Sequence, residues 1–124
     1  MPARPFEVNV RQRPGVAIID LHGEIDATAE ETLNAAYADA CKRSPATVLL
    51  NFSDVTYIDT TGIALIVGLL AQARKYRRRL RVSGLSGHYV EVFEITRLAD
   101  FMSMFPDETS ALADVPVPEI TPRA

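Results

Sequence analysis

The stretch that most constrains the fold is Ala46 to Phe52, where Val48-Leu49-Leu50 form an apolar run with no polar alternation. A strand with no polar face must be covered on both sides, which is the condition of a strand inside a helix-covered parallel sheet. About Thr61 to Arg77 then takes up helical spacing and is apolar nearly all round, so this helix is expected to be covered on several sides. A buried strand feeding a greasy helix points to an α/β layered domain.

The flanking segments fit that scheme. Phe6-Glu7-Val8-Asn9-Val10 alternates as a half-buried strand does, Pro14-Gly15 marks a turn, and Val16 to Leu21 completes a hairpin. Within this second strand Asp20 is expected to face solvent. From Thr28 onward Ala29, Leu33, Ala36, Tyr37 and Ala40 share one helical face, with Glu30, Glu31, Asn34 and Asp39 opposite. Asp26 or Thr28 suits the cap, and Glu31 stands where a capping box from Thr28 needs it. Ser44-Pro45 ends that helix. Ser53 to Thr56 reads as a loop in which Asp54 makes an Asx turn.

Leu80-Arg81-Val82 is a further strand, and about Ser86 to Thr96 a third helix, packed through Val90 and Phe93 with Val92 or Ile95. Phe101 to Phe105 suits a short last strand and Glu108 to Ala113 a last helical turn. The expectation is one α/β domain over residues 1–113, a mixed central sheet of about four to five strands covered by helices with right-handed crossovers. Val115-Pro116-Val117-Pro118 and Pro122 forbid regular structure, so 114–124 is expected to be a disordered tail.

Composition narrows the function. The 124 residues are 48% hydrophobic, enough for one core, and carry a net charge of −3, which disfavours non-specific nucleic-acid binding. Arg74-Lys75 and Arg77-Arg78-Arg79 gather cations without interleaved aromatics, so they read as a solvated helix end rather than an anion or membrane-surface patch. Cys41 is the single cysteine, Met1 to Pro5 lacks an apolar leader, and Ile63 to Leu70 falls short of a membrane span of about 18 residues. A cytoplasmic protein with no membrane insertion is expected. His22, His88 and Cys41 show no metal-ligand spacing, and the scattered glycines form no phosphate loop. Nothing calls for a metal, a cofactor or enzymatic activity; His88 reads as a surface residue at a helix start.

One constellation stands out. Tyr57-Ile58-Asp59-Thr60-Thr61-Gly62 places an acid and two hydroxyls between a strand and a helix. Asp and Thr there are ordinary N-caps. The same layout would also hold a modifiable hydroxyl at a helix N-terminus, where a phosphate is tolerated.

With those residues in view, Phe6 to Phe105 resembles the STAS domains, named for sulfate transporters and anti-sigma-factor antagonists, and above all the stand-alone bacterial antagonists. Leu21-His22-Gly23-Glu24-Ile25-Asp26 resembles the family's Gly-Glu-Leu-Asp segment, and Val48 to Asp54 its buried strand and acidic loop. Tyr57 to Gly68 resembles the Asp-Ser-Ser-Gly-Leu signature with its helix, and Val92 to Leu98 the terminal helix-and-turn pattern. The resemblance implies a STAS fold and partner switching. The unphosphorylated antagonist binds an anti-sigma factor that is also a serine/threonine kinase and so frees a sigma factor; the kinase then phosphorylates and ejects it, and a phosphatase resets it. The acceptor maps onto Thr60, with Thr61 as the alternative, and the partner-binding set onto Asp26, Asp59, Thr60, Thr61 and Gly62. Thr60 replaces the usual serine, and Arg77-Arg78-Arg79 stands where relatives often carry glycines. The alternative implied by the same family is a STAS subunit of a lipid or solute transport ATPase assembly.

Overall fold

A computed structural model describes residues 5–114. Its elements are β1 (Glu7–Arg13), β2 (Val16–Ile25), α1 (Glu30–Ala40), β3 (Thr47–Ile58), α2 (Thr60–Lys75), β4 (Arg79–Ser83), α3 (Gly87–Ile95), β5 (Ser103–Phe105) and α4 (Glu108–Leu112). One five-stranded sheet runs β1-β2-β3-β4-β5, with β1 antiparallel to β2 and every later pair parallel. This is the expected mixed α/β sheet covered by helices. The expected tail lies outside the described residues from 115 onward.

The unbroken apolar run of β3 is explained by what lies on each side of it. Val48, Leu50 and Phe52 enter the main core with Leu33 of α1, Ile66 and Leu69 of α2 and Phe93 of α3. Leu49 points the other way, into a smaller cluster with Val16, Ile18 and Ala111 of α4. Each strand position alternates its direction, and both directions are apolar because both faces are covered.

Several expectations need correction. Helix α2 buries only the stripe of Gly62, Ile66, Leu69, Leu70 and Ala73, while Ala64, Val67, Gly68 and Ala71 lie exposed. Its apolar outer positions are mostly small, so leaving them uncovered costs little hydrophobic free energy. Strands β2 and β3 run well past Leu21 and Phe52, pairing as far as Ile25 with Ile58 through two register irregularities. Asp54 is therefore in a strand, with His22 Nδ1 2.7 Å from its Oδ2, and the Asx turn belongs to Asn51, whose Oδ1 accepts from the Ser53 N–H at 3.1 Å. Of the two alternatives for packing α3 beside Phe93, Val92 is the one that packs on the core, and Ile95 is 72% exposed.

Asp20 does not face solvent. It is 9% exposed and accepts from Arg11 Nε at 2.7 Å and Asn51 Nδ2 at 2.8 Å. Burial pushes its pKa up, but the Arg11 and Asn51 hydrogen bonds outweigh that and hold it below the ordinary carboxylate value. Arg11 also donates to Glu108, so one guanidinium ties β2 to α4. A second tie comes from buried Arg81, which donates to the Ala111 carbonyl at 2.8 Å and pairs with Asp114. Among the described residues no helix is long and apolar enough to cross a membrane.

Candidate functional site

The Ile25–Ile58 pairing ends β2 and β3 at the same level, and the Asp59 N–H donates to the Ile25 carbonyl at 3.2 Å. The chain after β2 and the chain after β3 therefore leave from one rim of the sheet, at the carboxyl ends of parallel strands where α/β folds place their sites. Asp26 sits on the first exit and Asp59-Thr60-Thr61-Gly62 on the second. Sequence spacing alone brings together the last four; the register adds Asp26.

Asp59 is the N-cap of α2. Its backbone is extended and its Oδ1 accepts from the Gly62 N–H at 2.8 Å. This settles one orphan donor of the first turn. Thr60 and Thr61 follow as the first two helical residues, and both are exposed. Asp26 caps its own short turn, Ala27–Ala29, accepting from the Thr28 hydroxyl and, at 2.9 Å, from the Thr28 N–H. Those two bonds, the hydroxyl's the larger, hold the Asp26 carboxyl below its ordinary pKa.

Gly62 is required by packing. A Cβ there would overlap the Ile25 carbonyl and come within 2.9 Å of Ile58 Cγ2. The first turn of α2 is thus pressed against the last residues of β2 and β3, which fixes Thr60 on the rim. Gly62→Ala is expected to cost about 1–3 kcal/mol as an overpacked contact with backbone that cannot move aside. Chemical denaturation of that variant checks the figure; stability equal to wild type would mean the helix seats without the close approach.

One supporting residue escaped the sequence reading. The Tyr89 hydroxyl on α3 accepts from the Ile58 N–H at 2.8 Å and donates to the Ile58 carbonyl at 3.3 Å. It clamps α3 onto the junction just ahead of Asp59. Between the two lies a shallow groove of about 340 Å³ whose walls include Tyr57, Thr60, Ile63, Tyr89 and Val92. Thr60 lines this groove; Thr61 is not among its walls. His88 is exposed at the start of α3 and packs its ring edge-to-face on Tyr89, centroids 4.8 Å apart. Among the described residues no three His, Cys, Asp or Glu side chains converge as a metal site needs.

The STAS domain profile matches residues 7–111. The chain belongs to the STAS domain family. Its relatives include the anti-sigma-B factor antagonist of Bacillus subtilis (strain 168), 27% identical over 99 residues that make up 80% of this chain and 90% of that protein. Among solved structures, an anti-sigma factor antagonist from Mycobacterium paratuberculosis is similar with a TM-score of 0.77 at 20% identity, over 90% of this chain and 94% of that one. The Bacillus cell fate determinant SpoIIAA in its phosphorylated form is similar with a TM-score of 0.68 at 24% identity, over 90% of this chain and 100% of that one. These likenesses establish the STAS fold for the sheet and helices described above. Within this STAS domain the candidate site is the rim that carries Asp26 and the Asp59-to-Gly62 turn.

Proposed function

We propose that this STAS domain is an anti-sigma-factor antagonist whose binding to a kinase-type anti-sigma factor is switched by phosphorylation of Thr60. The observation that carries the reading is the placement of Thr60, exposed at the first position of a long helix whose cap is already supplied by Asp59. Its hydroxyl is not needed for the fold and stands where a kinase can reach it. The 27% identical relative is named an anti-sigma-B factor antagonist, and SpoIIAA of the same fold has been solved phosphorylated. Thr61 is the alternative acceptor, and Asp26, Asp59 and the two threonines form the face offered to the partner, with Gly62 seating the helix beneath it. In this reading the chain acts in the cytoplasm, and a phosphatase restores the binding form. The test is intact-mass and phosphopeptide mapping of the protein isolated from its own cells, with its partner identified. Phosphate on Thr60 and a co-purifying kinase support the switch; an ATPase transporter as partner with no phosphate replaces it with the transport-subunit reading.

Asp26 gives a second handle. Asp26→Asn keeps most of the capping at Thr28, so stability should change by less than about 1 kcal/mol. Removing the charge from the shared rim is expected to alter phosphorylation or partner affinity by several fold. A variant phosphorylated and bound as wild type would take Asp26 out of the functional face.

A further inference from the structure

We propose that the rim opposite Thr60 docks this protein on an anionic lipid surface. The loops entering β2, β3 and β4 meet there: the Thr47 N–H donates to the Gly15 carbonyl at 3.2 Å, the Arg79 N–H to the Ala46 carbonyl at 2.8 Å, and Arg78 Nε to the Pro45 carbonyl at 3.2 Å. Arg13, Arg43, Arg74, Arg77 and Arg79 are exposed on this rim. Arg74 and Lys75 suit the C-terminal dipole of α2. Arg43 ends the short helical turn Cys41–Arg43 that follows α1, but Arg13, Arg77 and Arg79 lie outside any helix, so a dipole does not account for them. Arg77 adopts φ +58°, a left-handed conformation that glycine takes freely and a side chain does not. A cation is thus kept at the turn's tip against backbone preference, which points to use rather than chance.

Aromatic and apolar side chains accompany these charges, contrary to the expectation of a cluster without aromatics. Tyr76 is 60% exposed, with Lys75 Nζ 5.6 Å and Arg78 Cζ 5.3 Å from its ring centre. Phe101 is 51% exposed under Arg74, whose Cζ is 4.9 Å from the ring centre. Arg74 and Phe101 also join two neighbouring grooves. One, of about 470 Å³, is lined by Arg78 and Arg79, by Asp100, and by Arg81, whose charge Asp114 already pairs; the other, of about 380 Å³, is walled by Val67, Leu70, Ala71 and Leu98. Cations beside an apolar trough match an amphiphile, a phosphate headgroup with its acyl region. A nucleic acid would leave the trough unused, and the cations on both rings compete with base stacking. An amphipathic tyrosine ring and an apolar phenylalanine ring among arginines are also what a bilayer interface selects. Docking through this rim leaves the Thr60 rim facing away, open to a protein partner.

The test is sedimentation of the full-length protein with vesicles of phosphatidylglycerol and phosphatidylcholine, against phosphatidylcholine alone and against a DNA duplex in free solution. Binding is expected only to the anionic vesicles and should weaken as salt rises. Arg77→Ser/Arg78→Ser/Arg79→Ser should reduce it more than about tenfold. Since Arg78 also bonds Pro45, the pair Arg74→Ser/Arg77→Ser serves as a second variant, with circular dichroism confirming the fold of each. Val67→Gln, on the exposed face of α2, should weaken binding without removing its salt dependence. No retention on anionic vesicles, equal retention on neutral ones, unchanged binding by a folded arginine variant, or binding of the duplex instead of vesicles would each overturn the proposal.

Discussion

Truncating Leu69 to alanine is expected to lower the unfolding free energy by about 2–5 kcal/mol. Leu69 is fully buried and belongs to the same cluster as Ile19, Leu50 and Phe93, where sheet and helices meet. The lost methyl groups forfeit their transfer free energy and leave a cavity that close-packed neighbours only partly fill. The contrast lies two positions earlier on the same helix, where Val67 is 41% exposed. Val67→Ala should stay within about 0.5 kcal/mol of wild type, as surface changes do. Chemical denaturation of the two variants therefore reads the one-sided burial of α2 directly. A loss below about 0.5 kcal/mol for Leu69→Ala would remove that residue from the core. Comparable losses at both positions would mean the outer face is covered too. Against a domain stability of about 5–15 kcal/mol, the expected loss is a large fraction of the whole.

The parts of this fold legible in the sequence are those written in local periodicity. The stripe Ala29, Leu33, Ala36, Tyr37 and Ala40 is buried as its spacing requires, and the non-alternating run in β3 lies between two apolar layers. What escaped was written at long range. Asp20 looks like a solvent-facing polar residue in its strand until Arg11 arrives from the neighbouring strand and carries Glu108, 97 positions away, with it. The extensions of β2 and β3 were hidden for a related reason. Ser53, Asp54 and Thr56 carry no apolar signal, and the strand is held there by the pairing of Asp54, Val55 and Tyr57 with β2, with Ser53 and Thr56 at the two irregularities, rather than by their own propensities. Helix α2 misled because alanine and glycine count as apolar in a pattern but offer little area to bury.

The candidate site divides the same way. Asp59, Thr60, Thr61 and Gly62 were visible as a unit because cap, hydroxyls and glycine lie in sequence. Asp26 joins them through the Ile25–Ile58 register, and Tyr89 through a hydrogen bond spanning 31 positions. The need for glycine at position 62 became physical only with the Ile25 carbonyl in place against it.

At Thr60, an alanine is expected to bind the anti-sigma partner persistently and resist phosphorylation, while a glutamate binds at least about tenfold more weakly than alanine. Neither change removes the α2 cap, which Asp59 supplies through the Gly62 N–H, so both variants should fold. The magnitudes decide the direction. A phosphate on Thr60 adds about −1.5 to −2 charges, and the helix N-terminus repays only about 0.3–1 kcal/mol of that within the free protein. Burying the same charge unpaired in an interface costs about 2–5 kcal/mol. Under the proposed switch the modified chain is therefore expected to stay folded and to leave its partner. Glutamate, with one charge on a longer arm, reproduces part of this effect. Thr61→Ala is the control, since Thr61 does not line the groove beside α3 and should leave phosphorylation of Thr60 intact. Calorimetry of each folded variant with the purified partner, paired with phosphopeptide mapping after incubation with kinase and ATP, reads both halves. Phosphate on Thr61 would move the acceptor by one residue. Equal affinities for the alanine and glutamate variants, with no phosphate on either threonine of the wild type, would leave a STAS surface that docks without a switch, as a subunit of a transport assembly would.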